Sequence, residues 1–407
     1  MRIATIHWAF PPTIGGVETH LAILCPEQVK RGHIVFLLTG ELEGEPARLV
    51  WKGVNVRRSP LMNLNNLSPR IIEEKARDIE EEIWSFIEEA RPDVIHAHNL
   101  HYFSPVHART LFKIRHDKKI PVILTAHNVW DDQLWKDMLV WREHWDRIIA
   151  VSNYIKKELV ANGYPRDRIE VVYHGVDTNR FRPPAARDRK KIEKEFPHLK
   201  GRRVIFHPAR MSLAKGCDIS VRALPLIKEK FPDVLMVFSG TGTIVDWGGV
   251  QQKEIKLILD LADELGVRNN IFVQLFSDEQ LSLMYKAADI CIYPSRYQEP
   301  FGLVMLEALA TAKPLIVTDS GGMPEVVQNG VTGFVVARGD HEELALRCIE
   351  LLHHPAIGRS LGERGRWLVT RNFTINEMVR HTMNVYHRAL QPAQRQENVW
   401  HLLAERR

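Results

Sequence analysis

Short apolar runs rich in Val and Ile recur along the whole chain, alternating with longer segments whose apolar residues fall at helical spacing. After Arg2-Ile-Ala-Thr-Ile6, the runs of the first half are Ile34–Thr39, Asp93–His98, Pro121–Ala126, Arg147–Val151 and Ile169–Tyr173. Stretches this short and this apolar are how strands of a parallel sheet buried on both faces look. The clearest helix begins at Ser68-Pro69, an N-cap followed by proline at the first helical position. It places Ile72, Ala76, Ile79, Ile83 and Ile87 on one stripe. The spacing predicts one continuous helix with a solvated acidic face.

A break follows His174-Gly-Val-Asp177. The stretch Asn179–Lys191, with four arginines and two prolines, has the composition of a linker. A second series then starts: Arg203–His207, Val234–Ser239, Asn270–Leu275, Asp289–Pro294, Pro314–Thr318 and Gly333–Val336. Two successive βα series predict an α/β fold of two doubly wound Rossmann-like domains facing each other across a cleft. Ligand is expected between them, at the carboxyl ends of the strands. The expected division is 1-180, 181-374, and terminal helices over 375-407 that pack back towards the first domain.

Composition narrows the class without naming it. With 55 basic and 50 acidic residues the formal charge is +5, too dispersed for a nucleic-acid footprint, so no nucleic-acid partner is expected. Cys25, Cys217, Cys291 and Cys348 form no C-x-x-C pair and are expected as buried, reduced thiols in a cytoplasmic protein. The chain opens directly on a strand, without a signal-peptide core, and no run reaches the roughly 20 apolar residues of a membrane span. Peripheral membrane contact stays open.

The most informative segment is Ser295-Arg-Tyr-Gln-Glu299-Pro-Phe301-Gly302-Leu303-Val-Met-Leu-Glu307-Ala-Leu-Ala310. It follows a buried strand and opens a helix, whose free N–H groups suit an anionic or polar ligand. Glu307 stands alone in an apolar helix, which is costly unless the carboxylate finds a partner. This segment resembles the glutamate–x7–glutamate motif of the retaining glycosyltransferases of family 4, which have the GT-B fold. The resemblance implies that Glu299 faces the donor sugar, with Phe301, Gly302 and Leu303 beside the donor, and that Glu307 holds the ribose hydroxyls.

Other positions match in order. His207-Pro-Ala-Arg210-Met-Ser-Leu-Ala-Lys215-Gly216 follows a strand and resembles the family's basic pair, which implies Arg210 and Lys215 on the diphosphate. Fixed cations there would stabilise charge gathering on the leaving oxygens. The chain has no D-x-D sequence, so no metal and no other cofactor is expected. Thr13-Ile-Gly15-Gly16-Val-Glu18 looks like the N-terminal glycine loop that meets donor phosphate and acceptor. Ser320-Gly-Gly-Met-Pro-Glu325 resembles the nucleotide-side glycine loop, and Asn329–Gly333 reads as a structural turn. In Thr125-Ala-His127-Asn128 the histidine ends a strand and resembles the one beside the donor sugar. His96 and His98 share a strand face. With His101 they raise a metal site, but no carboxylate or cysteine cluster completes the ligand set. Thr243–Val250 is an insert after Ser239-Gly-Thr-Gly242 with no counterpart in the family pattern.

The resemblance implies a retaining, metal-independent hexosyltransferase. It would move glucose, N-acetylglucosamine or galactose from a nucleotide-diphospho-sugar to an acceptor hydroxyl. Glu299-Pro300-Phe301-Gly302 leans towards UDP-linked donors. Catalysis would fall to His127, Glu299, Arg210 and Lys215, and donor binding also to Gly15 and Gly16. The aromatic loops of the first domain nominate His98, His101, Tyr102, Trp130 and Asp131 for a small polyhydroxylated or saccharide acceptor. The competing readings are sugar phosphorolysis, sugar-nucleotide epimerisation and a non-catalytic nucleotide-sugar-binding subunit. The glycine spacing argues against a dinucleotide oxidoreductase.

Overall fold

The computed structural model describes residues 1–13, 15–240 and 250–391. The insert singled out above, apart from Val250 at the start of a helix, and the last sixteen residues of the 375–407 segment lie outside the described residues.

Two sheets form. The first contains β1 (Arg2–Ile6), β2 (Ile34–Gly40), β3 (Arg48–Trp51), β4 (Val54–Ser59), β5 (Val94–His98), β6 (Val122–Ala126), β7 (Arg147–Ala150) and β8 (Ile169–Val171), in the order β3-β4-β2-β1-β5-β6-β7-β8. The second contains β9 (Arg203–Arg210), β10 (Val234–Ser239), β11 (Ile271–Gln274), β12 (Ile290–Tyr293), β13 (Leu315–Thr318) and β14 (Phe334–Val336), in the order β11-β10-β9-β12-β13-β14. All ladders are parallel except β3 with β4. The order reverses beside β1 and beside β9, and at such switch points the carboxyl ends of the strands open a crevice. The apolar strands are buried on both faces as expected: β5, β6, β12 and β13 have no exposed residue.

Three local expectations change. Strands β3 and β4 went unseen because half of the residues in Arg48-Leu-Val-Trp51 and Val54-Asn-Val-Arg-Arg-Ser59 are polar or charged. They form an edge hairpin closed by Lys52-Gly53, both at positive φ as a two-residue turn demands. The helix after Ser68 is two helices, Pro69–Glu74 and Ala76–Ala90, separated by Lys75 at φ −101°, ψ 16°. Its apolar stripe serves two surfaces: Ile72 lines the cleft described below, whereas Ile79, Ile83 and Ile87 are buried in the core. The linker-like stretch turns helical at Ala186–Glu195, because the Asp188 carboxylate accepts the Ala185 amide at 2.7 Å and pairs with Arg182 at 2.8 Å.

Helix Ile375–Leu390 returns to the first sheet. Met378, Val379, Val385 and Tyr386 join a core with Ile3, Leu21 and Val35, and the Tyr386 hydroxyl lies 2.6 Å from His96 Nδ1. All four cysteines are buried and free. Among the described residues no helix is long and apolar enough to cross a membrane.

Candidate functional site

The carboxyl ends of both sheets border one cleft of about 1380 Å³. On its second-domain wall, Arg210 ends β9 and Lys215 sits in the loop before helix Cys217–Lys230. Glu299 stands in the loop between β12 and helix Leu303–Ala310, with Phe301, Gly302, Leu303 and Glu307 following; all seven residues line the cleft. The Lys215 ammonium donates to Glu299 Oε2 at 2.7 Å, and the Tyr293 hydroxyl donates to the same oxygen at 2.7 Å. Burial, reinforced by the Glu299 carboxylate, holds the Tyr293 hydroxyl well above its ordinary pKa, so it stays a donor. Arg210 is exposed at the mouth. Phe301 turns its ring into the junction, edge-on to His174 at 5.2 Å and near Tyr173.

The loop Ser320–Gly322 acts from beneath. The Glu299 amide donates to Ser320 Oγ at 3.1 Å, and the Gly322 amide donates to the Glu299 carbonyl at 2.8 Å. Gly321 has φ +54°, and a Cβ there would lie 2.2 Å from the Glu299 carbonyl oxygen, so glycine alone fits. This loop is a seat for Glu299 and does not line the cleft, although its sequence resembles a nucleotide-side loop. The turn at Asn329–Gly333 is structural, closed by a bridge between its ends.

Glu307 finds its partner in the Tyr285 hydroxyl, which donates to Oε2 at 2.7 Å. Burial outweighs that hydrogen bond and raises the carboxyl to about 7. The carboxylate therefore lacks compensation until a further donor arrives.

On the first-domain wall, Gly15, Gly16, Tyr102, His127 and Trp130 line the cleft. The two aromatic rings stack at 3.9 Å and 7°. His98 and His101 lie behind this surface, buried. His98 Nδ1 pairs with His127 Nε2 at 2.9 Å, and His101 Nε2 donates to the Asn128 carbonyl at 3.1 Å beneath Trp130. Asp131 is exposed and outside the lining. Its neighbour Asp132 is the tied carboxylate, capping helix Gln133–Met138 and accepting the Tyr102 hydroxyl.

The histidines group differently from the sequence pattern. His20, His98 and His127, not His96 with His98 and His101, place ring nitrogens within 4.8 Å of one another. Burial first, then mutual repulsion among the imidazoles, holds all three well below the ordinary histidine range, so they are neutral. The contacts His98–His127 and His20–His174, both 2.9 Å, are hydrogen-bond distances. They are shorter than the ~3.3 Å that separates nitrogens on a tetrahedral zinc with Zn–N of about 2.0–2.1 Å.

Two family models match. "Glycosyl transferases group 1" covers residues 188–367 and "Glycosyltransferase Family 4" residues 14–180. The chain belongs to glycosyltransferase family 4. An uncharacterized glycosyltransferase of Methanocaldococcus jannaschii is 25% identical, with 96% of this chain and 99% of that one aligned. The crystal structure of a glycosyltransferase from Rickettsia africae superposes with a TM-score of 0.77 at 23% identity, over 96% of this chain and all of that one. Anabaena Alr3699/HepE in complex with UDP-glucose gives 0.75 at 18%, over 95% and 99%. The fold of this glycosyltransferase is GT-B, and its cleft is the one between the two Rossmann-like halves.

Sequence reasoning missed the transferase's supporting groups. Tyr293 and Tyr285, which no motif singled out, are the hydroxyl donors of the two glutamates. Glu325 was legible only as the end of a glycine motif, yet it spans the junction. Its carboxylate accepts the amides of Asn153 and Tyr154, both at 2.8 Å, and the Tyr173 hydroxyl at 3.0 Å.

Proposed function

We propose that this glycosyltransferase moves a hexose from a UDP-linked donor to a hydroxyl of a small polyhydroxylated molecule or saccharide, with retention and without a metal, in the cytoplasm. The observation that carries the reading is the Lys215–Glu299–Tyr293 cluster on the wall shared with Arg210 and Glu307. It groups two cations and two carboxylates on one wall, a set of charges that suits a diphosphate and two polyol groups. The UDP-glucose complex of a protein of this fold supports the choice of donor.

In this mechanism Arg210 and Lys215 take the diphosphate oxygens, Glu307 accepts the ribose hydroxyls, and Glu299 accepts hydroxyls of the transferred hexose. His127, neutral, borders the hexose from the other domain. The bond from the anomeric carbon to the phosphate oxygen breaks while the acceptor oxygen bonds to the same face of that carbon. The acceptor's proton passes to the departing phosphate oxygen. The two cations stabilise the negative charge that builds there, and closure of the cleft keeps water from taking the sugar.

The test is product analysis with UDP-glucose, UDP-N-acetylglucosamine and UDP-galactose, with EDTA present, and with added phosphate or pooled polyol acceptors. An α-glycoside formed only with acceptor supports the reading. A sugar phosphate, an epimerised donor, a β-product or complete loss of activity in EDTA restored by metal each overturns its corresponding part.

A further inference from the structure

Strands β5 and β6 pair with His98 opposite Thr125, and His127 follows two residues further on, the spacing that returns a side chain to the same face. The two imidazoles meet there, His98 Nδ1 lying 2.9 Å from His127 Nε2. His98 is fully buried, and its carbonyl accepts Nδ1–H of His7 at 3.0 Å. Its neighbour Asn99 reaches the same target, the side-chain oxygen accepting the His127 amide at 2.8 Å. Across the His127 ring, His174 stacks at 5.3 Å and 9°, and His20 stands edge-on at 5.0 Å and 69°. His127 is thus held at its amide, at Nε2 and over its ring.

The hydrogens can be placed by elimination. Burial keeps both imidazoles neutral, so each carries one ring hydrogen, and one of the two lies in the 2.9 Å contact. If His98 supplied it, both residues would be in the Nδ1–H form. If His127 supplies it, both are in the Nε2–H form, the more stable one for a histidine side chain. No second bond opposes that preference, because His98 Nε2 and His127 Nδ1 have no hydrogen-bond partner among the described residues. His127 lines the cleft. Its remaining nitrogen, Nδ1, is therefore bare and can only accept.

We propose that His98 is the positioning residue of His127: it accepts Nε2–H, fixes the tautomer, and leaves His127 Nδ1 to accept a hydrogen bond from a hydroxyl of the transferred hexose. This rests on the glycosyl-transfer reading, in which His127 borders the hexose. It moves His98 from contact with the glycosyl acceptor to support of the donor site. It also makes His127 a selector for a hexose that presents an O–H there, rather than an oxygen alone.

The test has two arms, both on the full chain. In the first, nitrogen NMR of isotope-labelled histidines is recorded without ligand, His127 being assigned by the signals lost in His127→Gln. Wild type should show hydrogen on Nε2 and a bare Nδ1; hydrogen on Nδ1 overturns the proposal whatever the enzyme's activity. His98→Leu should leave His127 as a mixture of tautomers, whereas His98→Asn, whose side-chain oxygen can replace the lost Nδ1, should retain Nε2–H. An unchanged tautomer in His98→Leu overturns the role of His98.

In the second arm, calorimetry compares UDP with UDP-glucose and its deoxy and deoxyfluoro analogues. His98→Leu should weaken UDP-glucose roughly three- to tenfold, the range of one neutral hydrogen bond, with UDP unchanged and His98→Asn in between. At one hydroxyl position the deoxy and deoxyfluoro donors should bind equally poorly, since fluorine cannot donate to Nδ1. His127→Leu should abolish that penalty, which separates this hydroxyl from those held by Glu299. A deoxyfluoro donor that binds like UDP-glucose at the position sensitive to His127→Leu overturns the selector. Should His98→Leu not fold, the wild-type spectrum and the analogue series carry the test. A wild type that binds neither UDP nor UDP-glucose would strike the donor reading instead, and the ligand-free spectrum would still decide the tautomer.

Discussion

Lys215 and Glu299 are joined by a 2.7 Å ion pair in which the glutamate side chain is 12% exposed and the lysine 24%. On the proposed reading, a diphosphate entering beside Arg210 would compete for that lysine and leave Glu299 Oε2, still held by the Tyr293 hydroxyl, open to a sugar hydroxyl. Donor binding and exposure of this carboxylate would then be one exchange of partners.

Replacing Lys215 or Arg210 by Ala should lower kcat/KM about 10²–10³-fold, the usual cost of removing one donor to a developing oxyanion, with the fold intact by circular dichroism. Lys215→Arg should recover part of the loss, since it keeps the charge but not the point geometry. Wild-type rates in both alanine variants would remove the diphosphate site from this wall.

The two glutamates should separate by ligand. Glu307→Gln should weaken UDP by roughly tenfold, in line with about 1.5 kcal/mol for a hydrogen bond to a charged group. Glu299→Gln should leave UDP affinity alone and lower turnover. Calorimetry with UDP set beside steady-state rates checks both, and equal loss of UDP affinity contradicts the division.

Glu307 also carries a pH signature. Its folded carboxyl is raised by burial to about 7 from 4.5. The native state therefore binds this proton more tightly than the unfolded chain. Its contribution to stability is fully present below about pH 4.5, falls as pH rises towards 7 and is lost above it. Ribose hydroxyls favour the ionised form, so UDP binding near pH 6.5 should release a proton. Calorimetry in two buffers of different ionisation enthalpy should register this in the wild type and lose that share in Glu307→Gln.

The stacked pair Tyr102–Trp130 should serve the acceptor. Trp130→Ala is expected to raise acceptor KM up to about tenfold, from about 0.5–1.5 kcal/mol for an aromatic contact beyond its area, without moving UDP affinity. Asp131→Ala, altering an exposed side chain outside the lining, should do nothing measurable. A reversed ranking of these two variants would relocate the acceptor.

Sequence legibility tracked distance from solvent. Strands β5, β6, β12 and β13 are apolar on both faces and could be read directly; Glu307 stood out because a carboxylate in an apolar helix is costly, whereas Glu299, in the loop before it, was reached through the motif resemblance. The hairpin β3–β4 sits at a sheet edge, where Arg48, Arg57 and Arg58 dilute the apolar alternation. Histidine grouping was out of reach because His20 and His174 come from a helix and a loop far apart in the chain. His98 and His101 looked like ligand contacts, since a strand-end histidine reads alike whether it faces the cleft or supports the residue that does. Tyr285 and Tyr293 were hidden for the opposite reason: their rings are core, and only their hydroxyls face the site.

The last expectation concerns Glu325. Its carboxylate takes the amides of Asn153 and Tyr154, the Asn153 side-chain amide at 3.0 Å and the Tyr173 hydroxyl, all from the first domain. Five residues earlier in the chain, Ser320 holds the Glu299 amide. Whatever fixes Glu325 therefore fixes the seat beneath Glu299 relative to the opposite domain. Glu325→Ala leaves two helix N-terminal amides without this acceptor, a loss comparable to a helix cap, about 1–2 kcal/mol. A lower Tm is expected for that reason alone. If the clamp also aligns the two walls, kcat should fall at least tenfold with a smaller loss of UDP affinity, because Arg210, Lys215 and Glu307, the side chains proposed to hold UDP, all stand on the second domain. Glu325→Gln, keeping one acceptor oxygen, should fall between the two. A Glu325→Ala enzyme with reduced Tm and wild-type kcat would show that the contact stabilises the junction without positioning Glu299.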